Sequence, residues 1–310
     1  MPMTGLPQGR FGAVVTGGGG GIGVEIARRL AHTGYRVWLA DLDPEAAAAG
    51  AATIGERAVV AGLDVTDPEA CRALATEVER EAGLALWVNN AGILRTGPSW
   101  SHAGEATGAM LAVNLHGTIN GTNAALELMR PHDLGHVVNT VSLAGLVAPA
   151  GETVYAASKH AALAYTLGTA QDLRQHGYTG IHLSAVCPDG AWTPMLYGLV
   201  DDPEAAPSWS GVLLSPERVA DRVAAVVRRP RPVVSVPRWR GGVARFAATF
   251  PALTLRAAPA LMEQARRKQA AFRGRLAAGE VVVEAPPRGR PEDVELRSRA
   301  ASGVPGRVSG

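Results

Sequence analysis

Thr16-Gly17-Gly18-Gly19-Gly20-Gly21-Ile22-Gly23 lies between a short apolar run at 11–16 and a stretch of helical period at 22–33. Glycine lets a backbone turn sharply and approach a pyrophosphate without a Cβ clash. A helix starting near Ile22 would aim its unsatisfied N–H groups at the phosphates. A flexible glycine linker is the plain alternative, and the position between a buried strand and an amphipathic helix argues against it. Gly17, Gly20, Gly21, Ile22 and Gly23 are therefore the expected phosphate contacts of a dinucleotide.

Outward from this loop, the same alternation repeats. Residues 11–16, 36–41, 58–63, 84–89, 136–141, 181–186 and 232–236 read as seven strands. Amphipathic stretches of helical period at 22–33, 68–81, 108–129, 154–176 and 216–228 separate them. Strands alternating with helices predict an α/β, doubly wound parallel seven-stranded sheet covered on both faces. Apolar residues make up 47% and charged residues 19%, an ordinary balance for a globular chain. Net charge is only +2, which gives no global attraction to nucleic acid or membrane. Two cysteines, Cys71 and Cys187, cannot build a disulfide framework and predict a reducing compartment. With no signal-peptide pattern and no run of 18 apolar residues, the expected location is cytoplasmic.

The second strand ends at Asp41, eighteen residues past Gly23. A carboxylate there can accept hydrogen bonds from the adenosine ribose and would repel a 2′-phosphate. Leu42 follows, and no basic residue stands ready to neutralise a phosphate. NAD is expected over NADP.

Tyr155-Ala156-Ala157-Ser158-Lys159 opens a long helical pattern, and a spacing of four puts both side chains on one face. A free phenol ionises near ~10, and a neighbouring ammonium is expected to lower that value. The phenol could then exchange a proton with an alcohol or carbonyl oxygen. The chain has only two lysines, Lys159 and Lys268, against 28 arginines. With five tyrosines in 310 residues, chance places a given lysine four after a tyrosine about 2% of the time. A surface ion pair of helical spacing is the plainer reading. It does not account for a lysine in a chain that otherwise uses arginine, and the two are not interchangeable in a tight site.

Thr16-Gly17-x-x-x-Gly21-x-Gly23, Asn89-Asn90-Ala91-Gly92, Ser142 and Tyr155-x-x-x-Lys159 together resemble the short-chain dehydrogenase/reductase family, in its shorter branch. The likeness covers roughly residues 10–237 and implies a Rossmann-type fold. It further implies that Asp64 and Val65 contact the adenine, and that Asn90, Ala91 and Gly92 line the ribose. Asn114 matches the asparagine that helps hold the lysine through a water. Ser142 matches the serine that orients the substrate oxygen. Pro188, Ala191 and Thr193 fall in the segment that contacts the nicotinamide carboxamide. There are two departures. Pro188-Asp189-Gly190 stands where the family usually has Pro-Gly, and apolar Leu84-Ala85-Leu86-Trp87-Val88 precedes Asn89 where the family often has an acid.

The implied activity is hydride transfer between NAD and a secondary alcohol or ketone, with Asn114, Ser142, Tyr155 and Lys159 as the catalytic set and no metal. An NADPH-dependent ketoreductase is the alternative that Asp41 disfavours. A non-catalytic cofactor-sensing protein would have no need of all four residues. The segment 192–214 is the expected lid. Trp192, Met195, Leu196, Tyr197, Leu199, Trp209, Val212 and Leu213 suggest a hydrophobic substrate, although half of them could simply pack the lid on the core.

Residues 1–237 form the expected nucleotide-binding and catalytic domain. Residues 238–284 read as a basic helical extension, one or two helices broken near Pro251 or Pro259, and 285–310 as a disordered tail. Residues 228–290 hold 14 basic side chains against 3 acids. Val243, Phe246, Ala247 and Phe250 recur at helical spacing beside Arg238, Arg240, Arg245 and Arg256. Packing on the domain or on a partner subunit is the favoured reading, in a homodimer or homotetramer. A peripheral membrane contact through 238–276 is less favoured, and nucleic acid is not expected.

Overall fold

The computed structural model describes residues 10–280, so the tail expected at 285–310 lies outside the described residues. Side chains alternate along the strands, and the alternation divides the core in two. Ala13, Val15, Val37, Leu39, Leu86 and Val88 face one way; Val14, Trp38, Ala40 and Trp87 face the other. All seven expected strands form: β1 (Gly12–Thr16), β2 (Arg36–Asp41), β3 (Ala58–Gly62), β4 (Leu84–Asn89), β5 (Gly135–Thr140), β6 (Ile181–Pro188) and β7 (Val233–Val236). They pair in parallel in the order β3-β2-β1-β4-β5-β6-β7. The chain order reverses between β1 and β4, which opens a crevice at their C-terminal ends.

The connecting helices are α1 (Gly21–His32), α2 (Pro44–Ala52), α3 (Pro68–Ala82), α4 (Gly104–Leu111), α5 (Gly117–Met129), α6 (Thr153–Gln175), the short α7 (Pro194–Tyr197) and α8 (Pro216–Arg228). Buried residues of α1, α2 and α8 pack on one face of the sheet, and those of α3, α5 and α6 on the other. Three of these helices begin alike. Asp43, Asp67 and Ser215 each precede a Pro-Glu pair and accept backbone N–H groups of the first turn. At α1 the N-cap is Gly20, and no side chain caps the helix. Its first N–H groups therefore remain available to a ligand at the crevice.

One expectation needs correction. Residues 108–129 are not one helix: α4 starts earlier, and a π-helical turn, Ala112–His116, joins it to α5. The wide turn carries Asn114 inward, fully buried, to bond both backbone groups of Ile93. The extension is two helices, α9 (Arg238–Thr249) and α10 (Pro251–Ala277), with the break at Phe250. A residue before proline is pushed off helical angles, and Phe250 sits at φ −118°, ψ 66°. Pro259 stays inside α10.

The apolar face of α9, expected to pack on the domain or on a partner subunit, is not covered by the described residues. Val243, Phe246 and Phe250 are exposed, while Gly241 and Ala244 make the buried side of α9. Only a residue without a side chain fits at 241, because a Cβ there would lie 2.0 Å from Ser235 Oγ on β7.

Candidate functional site

The glycine loop closes on itself and on the start of the loop after β4. Gly17 has φ +63° and Gly21 φ +51°, angles that favour glycine. A Cβ on Gly23 would meet the Gly17 carbonyl oxygen at 1.9 Å, and one on Gly17 would meet Ala91 Cα at 2.9 Å. Gly20, by contrast, has nothing within 4 Å of a built Cβ and stands open at the uncapped end of α1, followed by Gly21 and Ile22. Thr16 ties the two segments together: its hydroxyl oxygen accepts the N–H groups of Asn90 and Ala91, each at 3.0 Å. The Asn90 side chain donates back to the carbonyls of Thr16 and Gly17.

Asp41 is at the tip of β2, one strand away. Its Oδ2 accepts the Gly19 N–H at 2.8 Å, and Oδ1 accepts the Asp43 N–H at 3.1 Å. The carboxylate thus shapes the glycine loop, a role that sequence spacing did not reveal. Leu42 beside it is exposed. Asp64 follows β3 and accepts from the Thr66 N–H and hydroxyl. Val65 is buried against Gly117 of α5, and its carbonyl accepts from Asn120. After β6, Thr193 lies against the glycine loop: a Cβ on Gly21 would come within 3.2 Å of Thr193 Cβ. Pro188 ends that strand, and Ala191 forms an isolated parallel bridge with Leu214.

The four residues expected to act together share one side of this crevice. Lys159 Nζ is buried, donates to the Thr140 carbonyl at 3.1 Å and sits 5.7 Å from the centre of the Tyr155 ring. Burial draws its ammonium down to about 8, with the nearby Cys187 thiol opposing. Gly92 lies beside both groups: a Cβ there would crowd Asn114 Oδ1 at 3.1 Å and just touch Lys159 Nζ at 3.4 Å. Asn114 Nδ2 also donates to Ser158 Oγ, and that hydroxyl donates to the Tyr155 carbonyl. Asn114 therefore braces the first turn of α6 against the loop after β4. Ser142 begins a tight turn, its Oγ accepting the Ala144 N–H.

The Tyr155 phenol departs from expectation. Its ionisation is pushed up, first by burial and then by the carboxyl of Glu152, with a hydrogen bond to Ser142 pulling the other way. In the protein alone, these effects outweigh any lowering by the ammonium. Glu152 is itself buried, accepts the Ser208 hydroxyl at 2.7 Å and is pushed up to about 7, by burial first, then by Asp189, against the Ser208 bond. Sequence reasoning passed over Glu152, although its place one helical turn before Tyr155 was a usable signal.

Asp189, the extra charge in the Pro-Asp-Gly segment, is paired. Arg240 Nε donates to its Oδ2 at 2.8 Å, and Arg240 Nη2 donates to Ser210 Oγ. The segment 192–214, expected as a lid, contains α7 and a 3-10 stretch, Pro203–Trp209. Leu196 and Trp209 pack inward, while Met195 and Val212 remain exposed. Helix α10 covers part of this segment: Phe272 meets Trp192 edge-on at 4.7 Å, and Gln269 donates to the carbonyls of Leu199 and Asp202. Among the described residues no group of three or more His, Cys, Asp or Glu could hold a metal ion, and no helix is long and apolar enough to cross a membrane.

The comparisons with known proteins agree with this geometry. The short chain dehydrogenase family model matches residues 12–204. Levodione reductase of Leifsonia aquatica is 33% identical over 63% of this chain and 76% of its own length. D-beta-hydroxybutyrate dehydrogenase of Cupriavidus necator is 31% identical over 79% of this chain and 93% of its own. Among solved structures, a short chain dehydrogenase/reductase from Burkholderia phymatum in complex with NAD superposes with a TM-score of 0.71 at 26% identity, covering 79% of this chain and 95% of that one. The glycine loop, the crevice at the sheet's reversal and the Tyr155–Lys159 pair all lie within or between elements that this family model spans, and the chain belongs to the short chain dehydrogenase family.

Proposed function

We propose that this protein is an NAD-dependent dehydrogenase that interconverts a hydrophobic secondary alcohol and its ketone, with Tyr155 as the acid–base group. The observation that carries the proposal is the gathering of Tyr155, buried Lys159, Ser142 and Asn114 in a fold whose tightly closed glycine loop precedes an uncapped helix. The loop fits a dinucleotide: Gly17 and Gly23 let it close tightly where a Cβ would strike backbone, and Gly20 leaves the α1 N-terminus open. Gly17, Gly20, Gly21, Ile22 and Gly23 would hold the phosphates. Asp41 and Leu42 would hold the adenosine ribose, Asp64 and Val65 the adenine, Asn90, Ala91 and Gly92 the second ribose, and Pro188, Ala191 and Thr193 the carboxamide. When bound, the nicotinamide supplies the two-electron acceptor or donor for hydride.

The chain's own residues handle the proton. In the oxidation direction the Tyr155 oxygen takes the alcohol proton while hydride leaves the carbinol carbon; in reduction it returns that proton to the carbonyl oxygen. The Ser142 hydroxyl hydrogen-bonds the same substrate oxygen and orients it. The Lys159 ammonium, fixed by the Thr140 carbonyl, stabilises the phenolate. Asp41 favours NAD because a 2′-phosphate would meet its charge. The exposed Met195 and Val212 on a lid segment rich in apolar side chains support a hydrophobic substrate. Tyr155→Phe keeps the ring and removes the proton-carrying oxygen. Turnover should fall by about 10²–10⁴ with little change in NAD affinity, measured by steady-state rates and cofactor titration. Near-full turnover would overturn the assignment.

A further inference from the structure

A cavity of about 350 Å³ opens between α8 and α9, against the edge strand β7. Arg222, Arg229, Arg231, Arg238 and Arg245 line it, and no acid does. Arginines elsewhere in the chain are commonly paired, as Arg10 is with Glu79, Arg36 with Glu81 and Arg240 with Asp189. None of the five has an ion-pair partner among the described residues. Asp221, next to Arg222 in sequence, is engaged by Arg29 at 2.7 Å.

A second observation points to a ligand. Ser235 also lines the cavity; it is only 5% exposed, and its Oγ has no hydrogen-bond partner. Buried hydroxyls are nearly always satisfied. Helix α9 starts at Arg238, a residue of the same lining, and has no capping side chain. Five like charges around one cavity repel one another, and an oxyanion would relieve them, since guanidinium forks match phosphate oxygens. The cavity is separate from the glycine loop: that loop follows β1, and β7 lies four strands away across the sheet.

We infer that this arginine cavity is a binding site for a phosphate-bearing anion. The phosphate can be free, as in a phosphomonoester or pyrophosphate, or it can be the headgroup of an anionic phospholipid. The inference goes beyond the dehydrogenase reading and does not rest on it.

The test uses the full chain with saturating NAD, so that the glycine loop is not left open to the probe. Inorganic pyrophosphate is titrated calorimetrically. In parallel, the protein is sedimented with phosphatidylcholine vesicles made with and without phosphatidic acid. Arg231→Ser combined with Arg245→Ser removes two exposed guanidiniums, and circular dichroism checks that the fold persists. Arg256→Ser, on α10 outside the cavity, is the control. Saturable pyrophosphate binding that the double variant weakens at least about tenfold, and the control leaves unchanged, supports a free anion. Sedimentation that requires phosphatidic acid and is lost in the double variant, with only weak pyrophosphate binding, supports a lipid headgroup. Absence of both, or binding that the double variant leaves intact, overturns the inference. The arginine substitutions localise the signal, so failure of the dehydrogenase reading would not affect this readout.

Discussion

Arg240 on α9 and Asp189 after β6 form an ion pair at 2.8 Å that ties the C-terminal extension to the loop expected to meet the nicotinamide. The charge that departs from the family's Pro-Gly pattern is thus matched by a charge outside the family's common core. The partners are well covered, with side-chain exposures of 7% for Asp189 and 20% for Arg240. Arg240→Met would leave Asp189 buried without its partner. Unfolding in urea should show a loss of about 1–3 kcal/mol, below the full cost of a deeply buried pair because Arg240 still reaches water. Adding Asp189→Asn should recover much of that loss. Simple additivity of the two substitutions would show that the pair is not coupled.

Asp41 has two jobs that can be separated. Wild-type protein should bind NAD at least about tenfold more tightly than NADP. Asp41→Asn keeps an oxygen for the Gly19 N–H and removes the charge, so the gap should close by about tenfold while NAD still binds. Asp41→Ala removes both, and the loop loses its anchor, so affinity for both cofactors should drop. Fluorescence titration of the two cofactors against each variant decides. Equal effects of Asn and Ala would mean that the Gly19 contact is of no consequence.

Glu152 predicts a pH dependence. Its carboxyl is raised from 4.5 to about 7 in the folded chain, chiefly by burial. Between these values the folded state holds a proton that the unfolded state has released, so stability contributed by this group falls as pH rises through that window. Glu152→Gln should flatten the decline, read from urea unfolding at several pH values. The same carboxylate pushes Tyr155 up, so Glu152→Gln should also move the rising limb of the alcohol-oxidation profile to lower pH. An unchanged profile would remove Glu152 from the proton-transfer environment.

Much of this was legible in the sequence because it rests on local signals. All seven strands announce themselves as short apolar runs, and the glycine loop and Tyr155-x-x-x-Lys159 are spacings that one turn of backbone can impose. What remained hidden depends on contacts between distant segments. The partner of Asp189 lies 51 residues away on Arg240. The turn around Asn114 widens to reach Ile93, a demand that no helical periodicity encodes. The side of α9 that meets β7 is hidden from the sequence for a related reason. A hydrophobic pattern selects the largest apolar side chains, whereas Gly241 and Ala244 are buried because the helix must come close to Ser235 on β7. The direction of the Tyr155 shift likewise depends on depth of burial and on Glu152, and a count of nearby charges in sequence had weighed only Lys159.

Lys159→Arg separates charge from shape. The ammonium sits in a pocket bounded by the Thr140 carbonyl at 3.1 Å, the Tyr155 ring and the bare α-carbon of Gly92. Asn114, fully buried, closes another side near Gly92. A guanidinium keeps the charge but is a wide planar fork needing several acceptors, and among the described residues the Thr140 carbonyl is the one acceptor that holds Nζ. It should therefore either displace Gly92 and Asn114 or turn away from Tyr155. Turnover is expected to fall at least about tenfold, and NAD affinity should weaken as well, because Asn90, Ala91 and Gly92 are the proposed ribose contacts. Steady-state rates and cofactor titration test both parts. Full activity in Lys159→Arg would mean that positive charge alone suffices at this position, and the confined ammonium would no longer explain why the chain uses lysine here.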